Sequence, residues 1–208
     1  MRLEEISDAL TKLEEDKVLQ YVKEEIDANE DPIKILEACR KGMAEIGKGD
    51  DEIFLTDLIM AGEIFNAALE LLMPKLKNCT TKSLGKIVIG TVEGDIHNIG
   101  KDIVIKFLKA EGFEVIDLGV NVPAQKFVDA IKEYNPHVVG MSGLLTLSIR
   151  PMKKSIETIA AANLRDKVKV IIGGERADEE VCIYVGADAW VNDVIEGIKI
   201  IKKWVVSA

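Results

Sequence analysis

An acid and an imidazole stand two positions apart on a glycine-flanked stretch, and this pairing could bind a metal ion. The stretch reads Gly90-Thr91-Val92-Glu93-Gly94-Asp95-Ile96-His97-Asn98-Ile99-Gly100-Lys101. Imidazole is the commonest metal ligand among side chains, and a carboxylate beside it can orient the ring and raise its basicity. We therefore predict a metal-ligand loop around Asp95 and His97, the alternative being a histidine that fills a polar turn.

Two later stretches leave room for a ligand. One carries small and hydroxyl-bearing residues, Met141-Ser142-Gly143-Leu144-Leu145-Thr146-Leu147-Ser148, and the other is Ile172-Gly173-Gly174. Glycine lets a ligand approach the backbone closely because it has no side chain. Each stretch follows a predicted strand, as the Asp95 and His97 stretch does, so we expect all three at one edge of a sheet.

The elements that position these loops follow from hydrophobic periodicity. Between Leu3 and about Leu76, apolar residues recur every three or four positions, which predicts four helices. Turn-forming residues at 29–32 and 47–51 predict two of the breaks between them.

The pattern changes after a polar segment at 75–84. Short β-branched runs then alternate with amphipathic helices, and strands are predicted at 86–90, 113–118, 137–141, 168–172 and 187–191. This order predicts a Rossmann-like (flavodoxin-like), doubly wound parallel sheet covered on both faces. We predict a helical cap domain over residues 1–80 and a Rossmann-like domain over 85–208. Ligands of such sheets bind beyond the carboxyl ends of the strands, where the three loops lie.

Composition argues against several function classes. The formal net charge of -9 is the wrong sign for binding phosphates, so we expect no nucleic acid partner. The longest apolar runs are far below the roughly 18 residues of a membrane span, and no secretory signal is evident. We expect a cytoplasmic protein that does not bind membranes. The three cysteines share no CxxC spacing and are interpreted as reduced, buried thiols.

Three motifs then occur in a fixed order: Asp95-x-His97-x-x-Gly100, Ser142-x-Leu144 and Gly173-Gly174. Residues 101–141 separate the first two and residues 145–172 the last two. This ordered set resembles the signature of base-off/His-on cobalamin-binding domains. With four helices in front, the whole chain is similar to the corrinoid proteins of methyltransferase systems, which are themselves similar to the cobalamin-binding module of methionine synthase. The resemblance implies a bound cobalamin or related corrinoid, methylcobalamin in one of its states.

The resemblance also implies roles for individual residues. His97 would be the lower axial ligand of cobalt, displacing the nucleotide base of the corrinoid. Asp95 would accept a hydrogen bond from the other ring nitrogen, and Ser148 would complete a ligand triad behind Asp95. Such a triad allows protonation to follow the cobalt oxidation state. The other cofactor-binding residues at this sheet edge would be Gly94, Asn98, Ile99, Gly100, Ser142, Leu144, Thr146, Gly173 and Gly174.

In the helical domain, Leu55, Leu58 and Ile59 would lie near the methyl ligand and shield it from water, the alternative being a plain helix core. The stretch from Gly47 to Leu55 is two residues shorter than its counterpart in methionine synthase, and Thr56 replaces the usual proline. How far this segment covers the upper corrin face stays open. Glu175 and Arg176 follow Gly174 where small apolar residues are usual, so the preferred lower base stays open as well.

The function that the resemblance implies is that of a methyl carrier. A substrate-specific methyltransferase would methylate Co(I), and a second methyltransferase would pass the methyl group from methyl-Co(III) to tetrahydrofolate or a thiol such as coenzyme M. A reductive activase would be a further partner. With 208 residues the chain has no segment the size of a TIM barrel, so we do not expect it to be catalytically complete alone. The methyl donor, the acceptor and the oligomeric state stay open.

Three alternatives belong to other classes. A cobalamin-dependent sensor or regulatory protein would usually carry a DNA-binding segment, and no basic helix-turn-helix is evident. The small subunit of an adenosylcobalamin mutase would share the Asp95 and His97 loop but would not need the four N-terminal helices. A flavodoxin-like domain with a fused helical bundle and no corrinoid is disfavoured because the ordered set of motifs is rare by chance.

Overall fold

A computed structural model describes residues 2–46, 54–76 and 83–206 of the chain. The chain divides into two compact units, Met1–Lys82 and Ser83–Ala208. Within the described residues it forms nine α-helices and five β-strands.

The first unit contains the four predicted helices. They are α1 (Leu3–Thr11), α2 (Glu15–Asp27), α3 (Pro32–Glu45) and α4 (Leu55–Leu76). Each buries one apolar stripe, as the periodicity indicates, and the stripes include Ile6, Leu10, Val18, Val22, Ile35, Leu36, Ile64, Phe65 and Leu72. The predicted break at 29–32 is confirmed: Pro32 opens α3, and the Asp31 side chain caps it by accepting a hydrogen bond from the Ile33 amide. The break predicted at 47–51 lies outside the described residues.

The second unit is a five-stranded parallel sheet. The strands are β1 (Lys86–Thr91), β2 (Glu114–Asp117), β3 (Val138–Ser142), β4 (Lys169–Gly173) and β5 (Ala189–Val191), in the spatial order β2-β1-β3-β4-β5. All five predicted strands are present, and the order is the flavodoxin-like one. The order reverses between β1 and β3, so the loops after these strands diverge and open a crevice at that point.

Helices cover both faces of the sheet. They are α5 (Ile99–Ala110), α6 (Ala124–Tyr134), α7 (Ile149–Ala161), α8 (Glu179–Val185) and α9 (Val194–Val206). The core on one face joins Val88, Val139 and Val170 of the strands to Phe127 of α6 and Ile156 of α7. Because side chains alternate along a strand, the neighbouring strand residues face α5 and α9 on the other side. The central strands β1, β3 and β4 are nearly fully buried, which is typical of a parallel sheet, whereas the edge strands β2 and β5 are only partly buried.

Two remaining sequence predictions concern single features. No helix among the described residues is long and apolar enough to cross a membrane. Cys39 and Cys182 are buried free thiols, whereas Cys79 lies outside the described residues. Burial raises the pKa of Cys39 to about 12, so this thiol stays protonated.

Candidate functional site

The Asp95 and His97 loop directly follows β1, at the point where the strand order reverses. Gly94 has a φ of 84° and the Asp95 amide donates to the Val92 carbonyl at 3.1 Å, which turns the chain sharply after the strand. The Thr91 hydroxyl donates to the His97 carbonyl at 3.0 Å. These contacts bring the His97 side chain to the sheet edge, just before α5 begins.

The side chains of Asp95 and His97 are in direct contact. His97 Nδ1 lies 2.7 Å from Asp95 Oδ1, and the His97 amide donates to the same oxygen at 3.0 Å. An ionised carboxylate can only accept, so in the neutral ring this hydrogen bond places the proton on Nδ1 and the lone pair on Nε2. The carboxylate is fully buried while the imidazole is 50% exposed. The ring therefore offers one nitrogen to a ligand from a fixed position.

The second oxygen of Asp95 is held just as firmly. Asp95 Oδ2 accepts from Ser148 Oγ at 2.6 Å and from the amides of Leu144 and Leu145 at 2.7 and 3.2 Å. Burial by itself raises the pKa of the Asp95 carboxyl, but the hydrogen bonds from Ser148, His97 and Leu145 outweigh it and hold this pKa well below its usual range. Asp95 is therefore an anion near neutral pH that receives donors on both oxygens.

The three loops also interlock through glycine. A Cβ atom at Gly143 would lie 2.6 Å from Ser148 Cβ, and one at Gly174 would lie 2.1 Å from the Gly143 carbonyl oxygen. The Gly143 amide donates to the Gly173 carbonyl at 3.0 Å. The Gly173-Gly174 loop thus supports the backbone that places Ser148 against Asp95.

Two buried serines near and on α7 allow the Ser148 contact to be tested. Replacing Ser148 by alanine removes a hydrogen bond to a buried charge, and we expect the free energy of unfolding to fall by about 2 kcal/mol. Ser155 is equally buried, but its hydroxyl has no hydrogen-bond partner among the described residues. Ser155→Ala is therefore expected to change stability by less than about 0.5 kcal/mol.

Urea unfolding followed by tryptophan fluorescence measures this difference, because Trp190 and Trp204, the two tryptophans of the chain, both lie in the second unit. Equal losses of stability in the two variants would show that the hydrogen bond from Ser148 to Asp95 contributes nothing.

A cavity of about 140 Å³ opens beside this loop, between the sheet and helices α5 and α9. Its walls are mostly apolar: Ile87, Ile89 and Ile171 come from the strands, Val104 from α5 and Ile201 from α9. The structure places Gly100, Ser142, Gly173 and Gly174 of the predicted set in its lining. A slot of this kind can take a flat, weakly polar group.

The surface around His97 is unusually apolar. Ile96, Ile99 and Leu147 are 72%, 60% and 80% exposed, and Leu144 and Leu145 are exposed beside them. Large apolar side chains that cluster at the surface indicate a contact surface for a ligand or partner. Here they border a half-exposed imidazole.

The remaining predicted residues are placed as follows. Thr146 is exposed in a 3-10 turn, and Asn98 donates to Asp102 Oδ2 at 2.9 Å instead of facing His97. In the first unit, Leu58 is buried in the helical core, Ile59 is half-buried and Leu55 is exposed. Of the predicted residues, the structure thus brings together those at the three strand ends and places those of α4 in the first unit.

The prediction missed part of the site. The segment from Val191 to Val194 and Gly197 line the cavity from the start of α9, and Asn121 contacts the Gly94 and Asp95 backbone. The position of residues 192–194 directly after the last strand was a usable signal, since it is the same sheet edge.

Comparison with known proteins agrees with this geometry. Residues 85–198 match the B12 binding domain family, and residues 2–73 match a second family that is also described as a B12 binding domain. The trimethylamine corrinoid protein of Methanosarcina barkeri is 36% identical over 200 residues, which is 92% of both chains. The dimethylamine corrinoid protein of Methanosarcina barkeri is 38% identical over 202 residues, 94% of this chain and 93% of that one.

Two solved structures are similar over 98% of this chain. A cobalamin-binding protein from Desulfitobacterium hafniense DCB-2 superposes with a TM-score of 0.77 at 39% identity, covering 98% of that chain. A chain of the methanol:cobalamin methyltransferase complex from Methanosarcina barkeri superposes with a TM-score of 0.83 at 26% identity, covering 79% of it.

The flavodoxin-like sheet, the histidine loop and the adjacent slot define a cobalamin-binding protein. The chain belongs to the corrinoid proteins of methyltransferase systems, and its cofactor is cobalamin or a related corrinoid.

The residues present fit that cofactor. No group of three or more His, Cys, Asp or Glu side chains within 2–46, 54–76 and 83–206 could hold a metal ion. A metal that already has its equatorial ligands in a macrocycle needs only one from the protein, as axial ligation of haem illustrates. A half-exposed imidazole with apolar neighbours suits such a ring, and the apolar cavity suits a nucleotide base.

Proposed function

We propose that the protein binds its corrinoid through His97 Nε2 and carries methyl groups between two methyltransferases. The observation that carries the proposal is the contact of 2.7 Å between His97 Nδ1 and Asp95 Oδ1. In the neutral ring it leaves the lone pair on Nε2, and the ring is half exposed at the sheet edge. When bound, the corrinoid supplies a cobalt atom that accepts and releases a methyl group.

The side chains of the protein have separate tasks in this function. Asp95 keeps the proton of the imidazole on Nδ1, and its negative charge raises the electron density at Nε2. Ser148 and the amides of Leu144 and Leu145 hold Asp95 in place, and Asp95 in turn orients the imidazole of His97. The cavity lined by Gly100, Ser142 and Gly173 receives the nucleotide tail that His97 displaces.

The remaining predicted residues would surround the bound corrin ring. Gly94, Asn98 and Thr146 would border it from the loops around His97, with Ile99 and Leu144 as apolar contacts. We propose that Leu55 and Ile59 of α4, which are exposed and half-buried, shield the methyl group from water. Leu58 is buried among the helices of the first unit and favours the alternative of a plain helix core.

The partners of a carrier follow from its incomplete chemistry. A substrate-specific methyltransferase loads the protein, a second methyltransferase passes the methyl group to tetrahydrofolate or to a thiol such as coenzyme M, and a reductive activase restores the reactive state. The similarity to a chain in a methanol:cobalamin methyltransferase complex and to methylamine corrinoid proteins supports the first of these partners.

Electron paramagnetic resonance tests the axial ligand. In the Co(II) form of ¹⁵N-labelled protein reconstituted with unlabelled hydroxocobalamin, we expect coupling to one protein nitrogen, seen as a doublet in place of the unlabelled triplet. His97→Ala is expected to abolish this doublet. His137→Gln is the matched control, since His137 is the only other histidine and its Nδ1 accepts a hydrogen bond from the Lys86 amide instead. A nitrogen triplet that stays the same in labelled and unlabelled protein would contradict binding through His97.

Methyl transfer tests the carrier role separately. Reduced holoprotein is mixed with trimethylamine, dimethylamine or methanol and the cognate methyltransferases, and the expected product is methylcobalamin on the protein. No methylcobalamin with any donor, in protein that shows the imidazole coupling, would refute the carrier role and leave the binding mode standing.

A further inference from the structure

Asn121 contacts the loop of Asp95 and His97 from the segment that follows β2, the strand next to β1. It lies between β2 and α6, and its side-chain Oδ1 accepts a hydrogen bond from the Gly94 amide at 2.8 Å. Its own amide donates to the Asp95 carbonyl at 2.9 Å. One residue therefore contacts the backbone on both sides of the turn from which the Asp95 side chain projects.

The connection that carries Asn121 is itself anchored. The Val122 amide donates to the Thr91 carbonyl at 2.9 Å, and the Thr91 amide donates to the Gly119 carbonyl at 3.0 Å. On the β2 side, Asp117 Oδ1 accepts from the Gly119 amide at 2.8 Å. The buried ammonium group of Lys101 binds the carboxylate of Asp117 at 2.8 and 2.9 Å. Movement of Asn121 would have to break contacts at both ends of this connection.

The backbone of Asn121 explains why its residue type matters. Its φ is 53°, in the left-handed region that asparagine and aspartate tolerate better than other residues with a side chain. Glycine tolerates this region too but has no oxygen for the Gly94 amide. Aspartate retains both properties. The two functions of the position, backbone conformation and acceptor, can therefore be separated by substitution.

We propose that Asn121 is a positioning residue for the axial ligand: it fixes the backbone of Gly94 and Asp95 and so sets where Asp95 presents His97 to cobalt. This inference rests on the proposed binding of cobalt by His97. The hydrogen bonds of Asn121 go to the backbone of Gly94 and Asp95, so its effect passes through the Asp95 turn.

The test compares Asn121→Gly with Asn121→Asp in the full chain. Loss of one net hydrogen bond from the glycine variant is expected to weaken hydroxocobalamin binding about fivefold. It should also reduce the fraction of Co(II) protein that shows imidazole coupling and speed hydrogen exchange of the Gly94 amide in the apoprotein. Asn121→Asp should restore all three to near the wild-type values because it keeps the acceptor.

The outcomes separate this inference from the proposed function. Wild-type protein without imidazole coupling would overturn both. Coupling in the wild type, with the same coupled fraction, affinity and Gly94 exchange in Asn121→Gly, would overturn the positioning role alone. A lower unfolding temperature in Asn121→Gly with those three quantities unchanged would likewise overturn it, since it would show a structural role only.

Discussion

Asp95→Asn is expected to weaken corrinoid binding by roughly 10- to 100-fold and to remove most of the imidazole coupling in the Co(II) form. The substitution changes almost no volume, so the effect comes from the lost negative charge and from altered hydrogen bonding. Asp95 accepts on both oxygens, from the His97 ring and amide on Oδ1 and from Ser148, Leu144 and Leu145 on Oδ2. Asparagine has one acceptor oxygen and one donor nitrogen for the same set of donors.

The amide of the variant is expected to keep its oxygen towards the larger group of donors. Three donors converge on Oδ2, and an NH2 group there would leave them facing another donor. The NH2 group then points to His97, which can accept it only if the ring proton moves from Nδ1 to Nε2. An Nε2 that carries a proton has no lone pair for cobalt.

Nitrogen NMR of the apoprotein shows which ring nitrogen of His97 carries the proton. Electron paramagnetic resonance of the Co(II) form shows whether the imidazole is still coupled to cobalt. Asp102→Asn is the matched control, because Asp102 lies at the start of α5 and its carboxylate binds Asn98 and Lys101 rather than the His97 ring. The control should retain the proton on Nδ1 and the full coupling. An unchanged tautomer together with unchanged coupling in Asp95→Asn would refute the role assigned to Asp95.

Gly174→Ala is expected to destabilise the second unit by about 3 kcal/mol or more, lowering its unfolding temperature by roughly 10 °C. Gly174 has a φ of 129°, which residues with a side chain rarely adopt. The new Cβ would also lie 2.1 Å from the Gly143 carbonyl oxygen. That oxygen belongs to the backbone, so no side-chain rotation can relieve the overlap.

Gly173→Ala is the control for this substitution. A Cβ there would lie 3.4 Å from the Val191 carbonyl oxygen, which is ordinary contact, so we expect a loss below about 1 kcal/mol. Gly173 lines the cavity, however, and its added methyl group should weaken corrinoid binding. Thermal unfolding of the apoproteins, followed by tryptophan fluorescence, measures the contrast. Equal unfolding temperatures in the two variants would contradict the proposed interlock of Gly174 with Gly143.

Much of the architecture was predictable because it depends on local patterns. The strand from Lys86 to Thr91 is a buried run of β-branched residues, and such a run between amphipathic helices has few other ways to bury its side chains. The carboxyl ends of parallel strands meet at one edge, so Asp95, Ser142 and Gly173 could be placed together from their positions after strands alone. The contact of Ser148 with Asp95 came from the resemblance to a known family.

What the pattern of residue types could not show is how the backbone takes part. The chain itself determined the five strands, the four N-terminal helices and the three loops at one sheet edge, because apolar periodicity and turn residues act over short distances. Only the tertiary structure decided that the amides of Leu144 and Leu145 meet Asp95, that Asn121 holds Gly94, and that α9 completes the cavity. Backbone amides are the same at nearly every residue, and their partners here are distant along the chain. A backbone amide leaves no mark in residue type, so the packing of whole elements selects its partner.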